Sequence, residues 1–195
     1  MMKRCDWVTS EQLYIDYHDQ EWGRPSRDDR HLFEMLCLEG AQAGLNWWTI
    51  LQKRDNYRRA FDQFDPGKIV TYDRKKIEQL LEDPGIVRNR LKIKSVISNA
   101  EAYLRIIESG QRFADYIWQF VDGEQIVNHW HSGQDVPVST TISERMSRQL
   151  KKDGFKFVGP TICYAYMQAI GMVNDHLVDC FCHPEITNWS FGIDN

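Results

Sequence analysis

The sequence contains no apolar run that approaches the roughly 20 residues of a membrane-spanning helix. Its first residues, Met-Met-Lys-Arg-Cys-Asp-Trp, lack the apolar segment of a secretory signal peptide. Internal repeats and low-complexity tracts are missing as well. These absences argue against a membrane protein, a secreted protein and a repeat array. We therefore expect a soluble protein of the cytoplasm.

Closely spaced Cys-x-x-Cys pairs are also missing, and the five cysteines form an odd count. In a reducing compartment, free thiols or metal ligands are more common than disulfides. The net charge of −4 argues against a general nucleic-acid coat protein, although it leaves room for a local basic face. Flat side chains are plentiful, with seven Trp, eight Tyr and nine Phe. Such side chains are suited to stacking on a planar ligand.

Almost every periodic stretch has helical spacing, so the pattern predicts an all-α fold. A chain of 195 residues can form one domain or two small lobes that share a core. Segment 122–137 has no sustained period and is predicted to be a loop between lobes. The first five predicted helices begin at N-caps, which are Thr9, Asp28 or Asp29, Asn46, Asp65 and Asp73. Four further helices are predicted at 87–109, 113–121, 143–153 and 160–171.

One acidic residue stands out in segment 36–51. Glu39 continues the apolar stripe of a predicted helix, so its carboxylate should point into the interior or into a pocket. A small-residue turn at Gly44 follows, and Asn46 then caps a helix that opens with two tryptophans. Because a buried carboxylate is costly without partners, Glu39 should meet donors, a cation or a ligand. The alternative is a structural acid bonded to backbone N–H groups or a tyrosine hydroxyl.

Segment 154–159, Gly-Phe-Lys-Phe-Val-Gly, is predicted to be a tight hairpin, and Pro160 then opens a helix. Backbone N–H groups at a helix N-terminus favour an anion such as phosphate. Two basic clusters accompany the hairpin, and we predict that they form a DNA-backbone site with it. Each cluster alone could be a solvated surface. Their residues are Lys151, Lys152 and Lys156, and Arg88, Arg90, Lys92 and Lys94.

A metal site is suggested by His176 and Cys180, which are four residues apart and would share one face if their segment were helical. The alternative is a buried core histidine beside a buried thiol. A tetrahedral zinc site would need two further ligands. Cys5 and His18 could supply them if the two ends of the chain meet, and Cys182 and His183 compete with them.

Seven stretches together resemble the bacterial DNA-3-methyladenine glycosylase I family, a divergent branch of the helix-hairpin-helix glycosylases. They are RCDW at 4–7, LYIDYHD at 13–19, EWG at 21–23, LFEMLCLEG at 32–40, QAGL at 42–45, GFKFVG at 154–159 and VNDH at 173–176. The resemblance covers about residues 2–184 and implies an all-α helix-hairpin-helix fold with two helical lobes. It makes residues 1–184 one domain and leaves 185–195, with Trp189 and Phe191, as a tail without an assigned role.

The resemblance also implies the chemistry and the site residues. The expected reaction is hydrolysis of the N-glycosidic bond of 3-methyladenine in DNA, as a step of base excision repair. One structural zinc ion would join the N- and C-terminal segments through Cys5, His18, His176 and Cys180. The base pocket maps onto Glu39, Tyr14, Tyr17 and Trp47, with Trp22 close by. The implied DNA contacts are Gln42, Gly44 and Leu45, which would wedge into the duplex, and Gly154, Lys156 and Gly159.

Two features depart from the family pattern, the tail 185–195 and Trp48. Trp48 replaces a smaller aliphatic residue, so the packing of the pocket should differ there. The resemblance also implies that the usual catalytic Asp of helix-hairpin-helix glycosylases is missing, and the nearest such acid in this sequence is Asp175. We therefore expect Glu39 to serve recognition first and chemistry second.

No lysine is marked out as a Schiff-base nucleophile, which predicts a monofunctional enzyme without strand cleavage. We expect a monomer that acts on double-stranded DNA containing alkylated adenine. Three other hypotheses stay open. They are a non-enzymatic, zinc-stabilised DNA-binding module, a small-molecule metallohydrolase with an open zinc site, and a helical scaffold whose aromatic residues form only a core.

Overall fold

The computed structural model describes residues 2–187, and most of them are helical. Residues 188–195 of the predicted tail, Trp189 and Phe191 included, lie outside the described residues. Among residues 2–187, no helix is both long and apolar enough to cross a lipid bilayer. The helices are α1 (Gln12–Gln20), α2 (Asp29–Gln42), α3 (Trp47–Ala60), α4 (Pro66–Ile69), α5 (Arg74–Glu82), α6 (Arg90–Glu108), α7 (Phe113–Trp118), α8 (Thr141–Lys152), α9 (Pro160–Ala169) and α10 (Cys182–Thr187).

Most helix starts agree with their predicted caps. The Asp28 carboxylate accepts from the His31 backbone N–H ahead of α2, and the Asn46 side chain accepts from Thr49 ahead of α3. The predicted capping box at Thr9 is wrong. Helix α1 follows Glu11, whose side chain makes no cap hydrogen bond, and Thr9 accepts only a 3.4 Å bond from the Glu11 N–H. Thr9 therefore lies outside the first turn of α1 and does not cap this helix.

The predicted all-α class is confirmed, with one small exception in the described residues. Strand β1 (Ile126–Val127), which lies in the segment 122–137 that was predicted to be a loop, pairs in parallel with β2 (Val173–Asn174). Two residues are too few to show a period of two, so the sequence pattern could not reveal this pair. The pair matters for the site because Asp175 follows β2 directly.

Helix α2 is the centre of the main core. Residues 32–41 are all buried, and α2 packs against α3, α6, α7 and α9. A second, smaller apolar cluster joins the two ends of the described chain and contains Cys5, Leu177, Cys180, Cys182 and Ile186. The pocket described below lies where these two cores meet.

A buried ion network fixes α3 against its neighbours. Arg54 donates to Glu34 of α2 at 2.7 Å and to both carboxylate oxygens of Glu21 at 2.7 Å, and Arg58 also donates to Glu34. Burial alone would raise the pKa of Glu34. The hydrogen bond from Arg58 and the charge of Arg54 hold this pKa below its usual range. The network therefore ties α3 to α2 and to Glu21, the residue that follows α1.

Candidate active site

A cavity of about 570 Å³ opens between α1, α2 and α3. Three elements bring the predicted pocket residues to it. The cavity is lined by Tyr14 and Tyr17 of α1, Trp22 just after α1, Glu39 and Gln42 of α2, and Trp47 of α3. Trp7 and Leu177 line the same cavity from the two ends of the described chain. This size and aromatic lining suit a small planar ligand.

Glu39 is buried in the wall of this cavity, with a side chain that is 3% exposed. Its Oε2 atom accepts no hydrogen bond from any residue between 2 and 187. Burial raises the pKa of Glu39 to about 8. The pKa of Tyr14 and of Tyr17 is also raised, first by burial and then by the charge of Glu39. The structural alternative, a carboxylate bonded to backbone N–H groups or a tyrosine hydroxyl, is therefore not supported.

Trp47 provides the complementary unpaired atom. Its indole Nε1–H is buried and has no acceptor within the described part of the chain. The Trp47 ring lies 5.3 Å from the Tyr17 ring, centroid to centroid. Buried polar atoms rarely stay unpaired, and a cavity that holds one acceptor and one donor of this kind is suited to a ligand that offers both.

Trp48 reaches the cavity through Tyr14. The Tyr14 ring lies between Trp7 and Trp48, at centroid distances of 5.0 and 5.3 Å. The departure from the family pattern at this position therefore adds an aromatic support behind one wall of the pocket. We expect Trp48 to restrict the rotation of the Tyr14 ring.

Asp175, the acid nearest to the position of the missing catalytic Asp, lines the cavity but is fully engaged. Its carboxylate accepts hydrogen bonds from four side chains at 2.6–2.8 Å, which are those of Asn128, Trp130, Tyr164 and Gln168. Two carboxylate oxygens offer about four acceptor positions. No position is left to accept a proton from water, so Asp175 is a structural part of the wall.

The turn after α2 has type II geometry. Ala43 has φ −45° and ψ 120°, Gly44 has φ +75°, and the Leu45 N–H donates to the Gln42 carbonyl at 2.6 Å. The positive φ explains the glycine, while a Cβ at Gly44 would meet no atom within 4 Å. Gln42 lines the cavity, and Leu45 projects outward with 45% of its surface exposed.

The predicted hairpin 154–159 lies beside this turn. A Cβ added at Gly40 would approach the Cβ of Phe157 to 3.1 Å, so the hairpin packs directly on the end of α2. Gly154 has φ +101°, but the second left-handed residue is Phe157, at φ +55°, rather than Gly159, at φ −66°. Gly159 is the N-cap residue of α9, and Lys156 is exposed.

The basic cluster of α6 is more engaged than the sequence suggested. Arg90 forms a bidentate pair with Glu78 at 2.9 and 3.0 Å. The Nζ of Lys92 donates to the carbonyls of Ala41 and Ala43, both at 2.7 Å. Lys92 therefore contacts the turn after α2 rather than standing free in solvent.

Four predicted metal ligands converge between the two ends of the chain. The ligand atoms of Cys5, His18, His176 and Cys180 lie within 4.8 Å of one another, and all four residues are buried. The sulfur–nitrogen distances are 3.5 Å from Cys5 to His176, 3.5 Å from Cys180 to His18, and 3.6 Å from Cys180 to His176. Tetrahedral zinc with ordinary bond lengths places S and N about 3.6 Å apart. The cluster could hold such an ion.

Neighbouring groups orient both histidines for this role. The Nδ1 of His18 pairs with Asp19 at 2.7 Å, which leaves Nε2 for a metal, and Arg4 in turn holds Asp19. The Nε2 of His176 pairs with the Trp22 carbonyl at 3.0 Å, which leaves Nδ1. Of the competing ligands, His183 bonds the Asn128 carbonyl at 2.8 Å. Cys182 lies near His18 and Asp19 instead. These three residues form a second group that could hold a metal, and His18 belongs to both groups.

Sequence reasoning missed several parts of the wall. In the sequence, Trp7 was notable only as a neighbour of Cys5, and no motif or periodicity indicated Gln168. The loop residues Ser132, Gly133, Gln134 and Val136 also line the cavity, although their segment was described only as a connection. Their contribution depends on the β1–β2 pair, which brings this loop over the pocket.

Comparisons with known proteins agree with this geometry. The family described as methyladenine glycosylase matches residues 7–183. The chain is 51% identical over 183 residues to DNA-3-methyladenine glycosylase 1 of Escherichia coli (strain K12). The aligned residues cover 94% of this chain and 98% of that protein. The fold is similar to a crystal structure of 3-methyladenine DNA glycosylase I, with TM-score 0.92, 54% identity, and coverage of 93% and 100%. It also resembles a Tyr-to-Phe variant of 3-methyladenine DNA glycosylase I in complex with 3-methyladenine, with TM-score 0.90, 33% identity, and coverage of 94% and 98%.

Proposed function

The chain belongs to the methyladenine glycosylase family, and from this premise we propose that it releases 3-methyladenine from alkylated DNA by hydrolysis. The observation that carries the proposal is the pair of buried, unpaired atoms in the cavity, Oε2 of Glu39 and Nε1–H of Trp47. A flipped-out adenine derivative offers amine donors and ring-nitrogen acceptors on one edge. It would pair with both atoms while its flat ring contacts the aromatic walls.

The proposed reaction needs little acid catalysis. The 3-methyladenine base is positively charged while it is attached to the sugar, so it leaves as a neutral base with the electron pair of the glycosidic bond. Water forms the new bond to the sugar carbon and gives up a proton to solvent. An ionised Glu39 and the faces of Tyr17 and Trp47 would stabilise the cationic base once water is excluded. Base release would occur without a covalent enzyme intermediate.

Base extrusion would be assisted by the turn after α2. Leu45 is exposed beside the cavity mouth, where an apolar side chain can fill the gap in the base stack. Gln42, on the same turn, lines the cavity and can contact the opened pair. The hairpin with Gly154, Lys156 and Gly159 would hold the phosphates, since it packs beside this turn and precedes the N-terminus of α9. The partner would be double-stranded DNA, bound by a monomer.

We further propose that the four-ligand cluster binds one structural zinc ion. The donor set of two Cys and two His, the spacing of the ligand atoms and the oriented histidines all suit zinc. With four protein ligands, a bound ion has no open position for water, which argues against the metallohydrolase alternative. The ion would close the smaller core onto the pocket, since Cys5 and Leu177 also line the cavity.

The deciding experiment is chromatography of free bases released from alkylated duplex DNA by the pure protein. We expect release of 3-methyladenine with little 7-methylguanine, and abasic sites that remain uncut. A folded protein that binds this DNA and releases no base would support the non-enzymatic DNA-binding module instead. Strand cleavage at abasic sites by pure protein would contradict the monofunctional assignment.

Gly44→Ala should separate the geometry of the turn from overall stability. Alanine disfavours φ +75° by about 1 kcal/mol, although its Cβ has free space here. We expect a small fall in melting temperature and a roughly tenfold loss of excision from duplex DNA, because a shifted turn misplaces Leu45. Both quantities are measured by thermal denaturation and base release.

Gly110→Ala is the matched control for this prediction. Gly110 follows α6, has φ +86°, and also leaves free space for a Cβ. Its variant should show the same fall in melting temperature with unchanged excision. Equal losses of excision in the two variants would mean that stability, and not the turn, limits activity.

A further inference from the structure

Carbonyl groups at the end of α2 accept hydrogen bonds from the side chain of a distant lysine, Lys92. A helix leaves its last carbonyls without intrahelical donors. At residues 40–43, two carbonyls accept N–H groups of the turn itself, and the other two, those of Ala41 and Ala43, accept from Lys92. Lys92 thus completes the hydrogen bonding of the whole turn from outside it.

The position of Lys92 makes this contact specific. It lies in the first turn of α6, about fifty residues along the chain from the carbonyls that it binds. Its side chain is half-buried, and burial lowers its pKa. A partly desolvated ammonium group needs replacement partners, and two carbonyls at the negative end of a helix are favourable ones. The two carbonyls therefore replace part of the hydration that the Lys92 ammonium group loses on burial.

The same face of α6 also holds the hairpin. Asn99 lies seven residues after Lys92, which is two helical turns. Its side-chain amide accepts from the Lys156 backbone N–H at 2.7 Å and donates to the Lys156 carbonyl at 3.3 Å. Helix α6 consequently fixes the turn at one point and the hairpin at another, so the distance between the two is set by one rigid helix.

We propose that Lys92 is a positioning residue for base extrusion: it fixes the turn at residues 42–45 so that Leu45 enters the duplex where the damaged base leaves. This inference rests on the proposed excision from DNA. Lys92 contacts neither the cavity nor the reacting atoms, and it acts through the turn. Its role differs from that of a phosphate-binding lysine, because two of its three N–H donors are already used by the carbonyls.

The test compares Lys92→Met with Lys75→Met. Methionine keeps the apolar stem of Lys92 and removes the donors, while Lys75 is an exposed lysine of α5, outside the predicted DNA contacts, whose substitution removes the same charge. Excision of 3-methyladenine is measured on duplex and on single-stranded alkylated DNA, and binding of free 3-methyladenine is measured by tryptophan fluorescence. We expect Lys92→Met to lose about tenfold or more in kcat/KM on duplex DNA. It should lose less than about threefold on single strands, where no stack resists the base.

Free-base binding should stay within about twofold of wild type, and Lys75→Met should lose less than about threefold on either substrate. Equal losses by Lys92→Met on duplex and single strands would overturn the proposal in favour of a phosphate contact. Equal losses in the two variants would overturn it in favour of a general charge effect. If the wild type itself releases no base, the proposed function fails instead, and the two failures remain distinct.

A double-mutant cycle with Leu45→Ala keeps the inference testable if Lys92→Met lowers stability. If Lys92 acts through Leu45, its substitution should cost little on duplex DNA once Leu45 is already truncated. Each variant is assayed at a temperature at least 15 degrees below its own melting point. Fully additive losses in the double variant would contradict a shared action.

Discussion

Glu39→Gln is expected to make the protein more stable and nearly inactive. Wild-type Glu39 is a buried acid without a partner among the described residues, so its ionised form is disfavoured in the fold. Glutamine keeps the shape and removes the charge. It also loses the charged acceptor that a cationic base would meet. We expect a loss of about 100-fold or more in 3-methyladenine release, measured by chromatography, together with a higher melting temperature.

The gain in stability should depend on pH, with a sign fixed by the raised pKa. The folded pKa of Glu39 is about 8, against a reference of 4.5. A raised folded pKa means that Glu39 costs no stability below about pH 4.5 and progressively lowers the free energy of unfolding as pH rises to about 8. The difference between Glu39→Gln and wild type should therefore grow over this window. It should reach the order of 3 kcal/mol near neutral pH.

Glu34→Gln is the matched control because Glu34 is also a buried acid of α2, but one that is paired. Arg54 and Arg58 both donate to its carboxylate. Removing that charge leaves a buried guanidinium with a lost partner, so stability should fall rather than rise. A lower melting temperature in Glu39→Gln, as in the control, would contradict the claim that Glu39 is unpaired in the free protein.

Activity should follow the ionisation of Glu39. A cationic base favours the carboxylate form, so kcat/KM of the wild type on alkylated duplex DNA should rise with pH and level off above about pH 8. The residual activity of Glu39→Gln should lack this rise. A decrease in wild-type activity as pH passes 8 would instead mean that the protonated acid is the active form.

Cys180→Ser should have the largest effect on folding. Serine is a poor zinc ligand, and loss of a structural ion removes binding free energy that is coupled to folding. We expect the bound zinc to be lost and the melting temperature to fall by more than about 10 °C. Metal content is measured by atomic emission on the purified protein and stability by thermal denaturation, with chelator-treated wild type as a second comparison.

Cys182→Ser is the control, because this thiol is buried two residues away and lies outside the set of four. It should keep zinc and nearly all of the stability. The reverse pattern, with zinc retained in Cys180→Ser and lost in Cys182→Ser, would assign the ion to the group formed by His18, Asp19 and Cys182. Normal stability without zinc in Cys180→Ser would show that the ion does not support the fold.

The parts of this structure that could be predicted from sequence are those that depend on neighbouring residues. The caps at Asp28 and Asn46, the turn at Gly44 and the burial of Glu39 all follow from spacings of a few residues. The family resemblance indicated which residues to expect as metal ligands and which in the base pocket. Their individual roles are proposals that the experiments above test.

The features that escaped prediction depend on contacts between distant segments. Lys92 belongs to a run of basic residues that resembles a solvated surface, and only the folded chain shows that its ammonium group faces two carbonyls. Arg90 is likewise neutralised by Glu78. Asp175 lies beside a predicted metal ligand, yet its four donors come from two other parts of the chain, the segment 128–130 and helix α9. The charge pattern and the hydrophobic periodicity of the sequence do not predict such pairs.

The closure of the smaller core has a consequence for the order of synthesis. Cys5 emerges from the ribosome first, and its partner Cys180 emerges 175 residues later. Until then the cavity wall that Trp7 shares with Asp175 and Leu177 is incomplete, because these two residues are also among the last of the pocket to be synthesised. A nascent or prematurely terminated chain that ends before Asp175 lacks a closed pocket. Ribosome-bound fragments should therefore be inert toward DNA, and activity should appear only when the late segment folds back onto the first residues.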